Sequence, residues 1–267
     1  MIKRTFLLLL LTPLCALAHR MWIVPAATVF SGTDQWAVID AAVSNDLFIP
    51  NHNAPDLDGF EVIDPKGNVV EIANGMKGKF RTTFDVPLEV EGTYRIFRER
   101  SGIMATWQEG ENRKRWRGTM AEYEALDKEG KEGFRASKRA SRVETIVTLG
   151  APTTATFEIT GEGLEFVPVT HPNDLYAEEG ATFKFYLDGK PWTGGKVTVI
   201  PGGDRYRNTV DAIELETGND GSFTVKWPKA GRYWLEASAG PSREEAREAT
   251  GLVANASYVG VFEVLPL

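Results

Sequence analysis

The segment ATFKFYLDGK alternates Ala181, Phe183, Phe185 and Leu187 with Thr182, Lys184, Tyr186 and Asp188. That period of two marks a strand with one buried face. GSFTVKWP repeats the pattern with Phe223, Val225 and Trp227. Turn chemistry punctuates these runs at Asp64-Pro65-Lys66-Gly67, in DGKPWTGGKV and at Asn219-Asp220-Gly221. Gly, Asn and Asp tolerate the positive φ angles of tight turns, so neighbouring runs are expected to pair as antiparallel strands. The pattern predicts an all-β chain.

An internal echo suggests two units. FDVPLEVEGTYRIF (84–97) and FTVKWPKAGRYWLE (223–236) share an apolar strand, a proline, a Gly-x-Tyr step and a second apolar strand. We read two immunoglobulin-like antiparallel β-sandwich domains, 19–150 and 151–267. In such sandwiches a Tyr after the corner bonds back to a neighbouring loop. Tyr94 and Tyr233 stand at that position in each unit.

Between the units, NRKRWRGTMAEYEALDKEGKEGFRASKRASRVE lacks proline and spaces Met120, Tyr123 and Leu126 as a helix would. A short charged helical insertion is predicted at about 110–142. Its basic cluster, Arg113, Lys114, Arg115 and Arg117 around Trp116, suits an anion or a partner surface. The acidic residues that follow also fit a plain solvated face.

The N-terminus changes the setting. Lys3 and Arg4 precede an apolar run, Phe6 to Leu11, and Ala16-Leu17-Ala18 supplies the small-x-small pattern cut by signal peptidase. The run is too short for a stable membrane span. Residues 1–18 are therefore expected to be a cleaved signal peptide, the mature chain beginning at His19, exported and not membrane-spanning, with a periplasmic location in a Gram-negative source. Cleavage removes Cys15, the single cysteine. Without it, cysteine nucleophiles, disulfides and Cys-based metal sites are excluded. The formal charge is −7 and becomes more negative without Lys3 and Arg4, which argues against nucleic acid as the main partner.

No Gly-rich phosphate loop, nucleophile elbow or HExxH helix occurs, so the sequence does not predict an enzyme. The chemistry left is that of three histidines. His52 lies in SNDLFIPNHNAPDLDGF, a polar loop stiffened by Pro50 and Pro55, with Asp46 as a supporting partner. His171 lies in VPVTHPNDLYAEEG, where Pro172 favours an extended backbone and Asn173 and Asp174 stand ready to orient the ring. His19 is different in kind. Once cut from Ala18, its α-amine and imidazole Nδ1 can close one chelate ring, and an α-amine that titrates near 8 yields its proton to a transition metal at modest cost. A further imidazole from His52 or His171 completes a nitrogen set that suits Ni, Co, Cu or Zn better than Mg or Ca.

These segments carry a resemblance. AHRMWIVP, SNDLFIPNHNAPDLDGFEVIDPKG, GKFRTTFDVPLEVEGTYRI, GLEFVPVTHPNDLYAEEGATFKFYLDGKPWTGGKVTVIPGG and TGNDGSFTVKWPKAGRYWLEAS, in that order, resemble the exported bacterial family called domain of unknown function 4198. Its members are described as periplasmic components of nickel or cobalt uptake systems. The resemblance implies a periplasmic β-sandwich protein that serves metal acquisition beside a membrane transporter or an outer-membrane receptor. It carries over His19 with Trp22 and Pro25, Asp46-Leu47-Phe48 with His52, and Pro168-x-x-His171-Pro172.

The leading expectation is therefore a divalent transition metal ion (Ni, Co, Cu or Fe) held by His19 and His52, with His171 as a further ligand. A second expectation dispenses with metal and makes the sandwiches an interaction module that presents Trp107, Trp116, Trp192 or Trp234 to a partner. A third, copper-dependent redox activity, uses the same nitrogen donors, though the sequence marks no substrate groove.

Overall fold

The structure, a computed structural model, describes residues 19–242, 244–249 and 251–267. The expected leader, its cleavage motif and Cys15 lie outside the described residues. The described residues build three sheets. One outer sheet orders Arg20–Pro25, Gln35–Ser44, Thr82–Leu88 and Ala73–Lys77, all antiparallel. The other outer sheet sets Gly180–Leu187 between Leu164–Pro168 and Ser222–Lys226.

A nine-stranded central sheet lies between them. Its main path runs Ile213–Glu216, Lys196–Pro201, Gly231–Ala239, Leu252–Val264, Glu132–Leu149, Gly92–Glu109 and Glu61–Ile63. The join in the middle is parallel: the last strand of the chain, Leu252–Val264, pairs with Glu132–Leu149 from Leu252↔Ala136 to Val261↔Thr145. The expected boundary near residue 150 thus separates two stretches of sequence whose strands sit side by side in one sheet.

Both faces of that sheet are buried, each against a different outer sheet. Along the last strand Tyr258, Phe262 and Val264 enter one core with Phe166, Phe183, Phe185 and Trp227. Val259 and Val261 enter the other with Trp22, Ile39, Phe84 and Tyr94. A strand buried on both sides reads as an unbroken apolar run, which is why YVGVF shows no alternation. Two sandwiches share a middle layer.

The corner tyrosines behave alike. Tyr94 Oη accepts from Val90 N at 2.7 Å, and Tyr233 Oη donates to Lys229 O at 2.7 Å. Gly67 and Gly221 take φ of +85° and +76° in the turns expected of them.

The predicted helical insertion is mostly strand. Gly92–Glu109 and Glu132–Leu149 extend past the sandwich and, with Asn112–Gly118, form a three-stranded arm. One helix survives, Met120–Glu124, where the Thr119 hydroxyl accepts from Glu122 N and the Glu122 carboxylate accepts from Thr119 N. The helix stops after five residues because isolated short helices are marginal, whereas strand pairing buries Ile103, Ala105 and Ala136 beneath Trp107, Trp116, Tyr123, Leu126 and Phe134. Tertiary packing overrides helix propensity here.

Candidate metal centre

The first strand is held tightly at its start. Trp22 is 1% exposed, and its Nε1 donates to Ser44 Oγ at 2.6 Å. Trp234 Nε1 donates to Met21 O at 3.0 Å, while the Arg20 guanidinium lies over the Trp234 ring and reaches Asp204 at 3.4 Å. The strand's N-terminal end is therefore pinned by groups from both halves of the chain.

The loop that carries His52 is pinned by the same groups. Leu47 N donates to Asp204 Oδ1 at 3.0 Å, and Asp46 pairs with Arg205 at 3.1 Å. Asn51 Nδ2 donates to Asp46 Oδ2 at 2.7 Å, and Asn51 Oδ1 accepts from Asn45 N at 2.9 Å. Phe48 takes a left-handed φ of +62° and turns its ring edge-on to Trp22 at 5.8 Å. The loop then returns to the sheet through the reciprocal pair Val43↔Asn53, at 2.9 and 3.0 Å.

His52 directly precedes that bridge, and His19 directly precedes the first strand. Their rings stack with centroids 3.6 Å apart and planes inclined by 9°. Both side chains are exposed, and among the described residues no hydrogen bond engages either ring. Asp46 supports the loop through Asn51 and Arg205; its carboxylate is already committed.

The donor chemistry fits a transition metal. Ligating nitrogens sit about 2.0–2.1 Å from such an ion. Stacked rings present their lone pairs in parallel planes, so joint ligation requires one ring to turn about its Cβ–Cγ bond. At an exposed site that turn meets little resistance. Among the described residues no group of three His, Cys, Asp or Glu side chains is close enough to hold an ion. In a chain that begins at His19, the free α-amine would add a further nitrogen beside the ring of the same residue.

His171 is placed elsewhere, beside Thr93, Thr153 and Phe157. Its Nδ1 accepts from Asn173 N at 3.1 Å, so the proton of the neutral ring sits on Nε2. Nε2 then meets Thr93 Oγ1 at 3.0 Å and Thr153 O at 3.3 Å. Thr93 Oγ1 lies 3.0 Å from Thr148 Oγ1, which donates to Asn173 Oδ1 at 2.7 Å, closing a ring of hydrogen bonds. Desolvation lowers the His171 pKa below 6.5, against smaller opposing effects of Thr153 and Asp174. Asn173 does orient the ring, as expected, and Asp174 N donates to His171 O at 3.0 Å. Both ring nitrogens are committed to the protein, so the structure brings together His19 and His52 and leaves His171 out.

Of the four tryptophans considered for a partner, Trp234 is buried, whereas Trp107, Trp116 and Trp192 are half-buried. Trp234 is 2% exposed, Trp192 packs against the second core, and Trp107 and Trp116 cover the arm's small cluster.

Sequence reading missed a buried charge cluster. Glu144 is 0% exposed and takes Arg95 Nη2 at 2.7 Å, Arg142 Nε at 2.9 Å and the Tyr258 hydroxyl. Burial alone raises its pKa, but Arg95, Arg142 and Tyr258 outweigh it and hold the group below 4.5. The only signal was a lone Glu within VETIVTL.

Two cores on opposite faces of one shared sheet define an all-β protein of layered β-sandwiches. The family model described as Domain of unknown function (DUF4198) matches residues 16–240, and the chain belongs to that family. No curated protein matches the chain. Among solved structures it is similar to the D0-D1 domain of intimin, at 9% identity over 91% of this chain and 97% of that one, with a TM-score of 0.22. It is also similar to a DUF4785 family protein from Legionella pneumophila subsp. pneumophila str. Philadelphia 1, at 8% identity over 80% of this chain, with a TM-score of 0.25. There the match spans 50% of the other protein's length. No helix among the described residues is long and apolar enough to cross a membrane.

Proposed function

We propose that the mature chain is a periplasmic binding protein for a divalent transition metal, associated with nickel or cobalt uptake. His19 supplies its ring and its α-amine, and His52 supplies a second imidazole. The observation that carries this reading is the stacking of His19 on His52 at 3.6 Å, produced by two segments that are each anchored to Asp204. Anchoring matters because pre-positioned ligands lose little freedom on binding. The nitrogen donors suit Ni, Co, Cu and Zn, and no part of this role requires catalysis.

Calorimetric titration of the chain that begins at His19 with Ni(II), Co(II) and Cu(II) tests the ligand set. One ion per chain is expected. His52→Ala is expected to weaken binding at least about tenfold, roughly 1.4 kcal/mol, while His171→Gln leaves it unchanged. Equal affinity of His52→Ala and the unaltered chain would contradict the proposal.

A further inference from the structure

The arm sorts its charges by face. Register places Ile103, Ala105, Trp107, Trp116, Phe134 and Ala136 on the side that packs the small cluster. The pairs Thr106↔Arg115, Met104↔Arg117, Gln108↔Arg113, Thr106↔Arg135 and Gly102↔Arg139 then put five arginines on the opposite side. All five are exposed, and among the described residues none forms an ion pair. These arginines make a predominantly basic face, with Glu132 opposite Gln108 at its far end, on a chain of net charge −7.

That face holds a hollow of about 660 Å³. Arg113, Arg135 and Arg139 line it, with hydrogen-bonding groups from Ser137, Ser238 and Asn255. Among the described residues no carboxylate lines it. Guanidinium groups are planar forks that match carboxylates in pairs, and several of them around one concavity fit a chain with repeated carboxylates. The exposed large apolar side chains of the molecule, such as Trp36, Val69 and Tyr206, are absent from the hollow's lining. Insertion into a bilayer surface would need such anchors. A concave, arginine-lined site without them favours an extended polypeptide.

We infer that the arginine face of the arm docks an acidic, extended segment of a partner protein, with Arg113, Arg135 and Arg139 gripping its carboxylates. This surface is independent of the histidine pair. Fluorescence anisotropy of a labelled decaglutamate peptide, titrated with the metal-free chain at about 50 mM salt, tests it. Saturable binding is expected, weakening as salt rises. Arg135→Glu with Arg139→Glu is expected to lower affinity at least about tenfold, as is the milder pair Arg135→Gln with Arg139→Gln to a smaller extent. Lys66→Glu with Lys229→Glu makes the same change in net charge elsewhere and is expected to leave affinity within about twofold. Absence of peptide binding, an equal loss in the lysine control, or preferential capture of phosphatidylglycerol vesicles would overturn the inference.

Discussion

His171 shows how a residue that reads as a ligand serves another end. Its neutral ring closes a circuit through Thr93, Thr148 and Asn173, and protonating Nδ1 would break the bond from Asn173 N. Because burial lowers its pKa, this histidine stabilises the fold fully above pH 6.5, and that contribution is lost as pH falls through the lower folded value. The unaltered chain should therefore lose thermal midpoint faster than His171→Gln between about pH 6.5 and 5. Parallel midpoint curves would contradict this. The loop setting of His171 and its neighbour Asn173 were visible in the sequence, but Thr93, on a strand 78 residues away, was not. His19 and His52 were the leading pair in the sequence, and the fold brings their rings together while it places His171 elsewhere.

At the scale of the strand, alternation served well where one face met solvent. Phe183, Phe185, Phe223 and Val225 all lie in the core that their period of two implied. It failed in the arm, where a Lys- and Glu-rich composition suggested helix and Trp116 pairing opposite Ala105 made strand. It also gave no hint that Glu144 would be buried. There the central strands pair a carboxylate with two arginines and a tyrosine, and Arg95 passes on to Thr156 O at 2.7 Å. Removing one partner of a buried ion cluster strands the rest without compensation. Glu144→Ala should cost about 3–5 kcal/mol in denaturant unfolding, and Tyr258→Phe less, about 1.5–3 kcal/mol. A loss below about 1 kcal/mol for Glu144→Ala would show the cluster to be dispensable.

Across the whole molecule, the echo between 84–97 and 223–236 pointed to two units, and its corner tyrosines do bond back to the backbone four residues earlier. It could not reveal that Leu252–Val264 pairs in parallel with Glu132–Leu149 and fuses the sandwiches into one sheet, since long-range pairing leaves no local mark. That fusion places Asp204, Arg205 and Trp234 of the second unit against the first strand and the His52 loop of the first. The histidine pair is thus a product of the entire fold, and the third donor proposed for it, the His19 α-amine, requires a chain cut before His19. The most direct measurement compares calorimetric affinity for Ni(II) and Cu(II) between the chain that begins at His19 and one extended by Ala18. The extension turns the ligand amine into an amide, so at least about a tenfold loss is expected; equal affinity of the two chains would contradict the account.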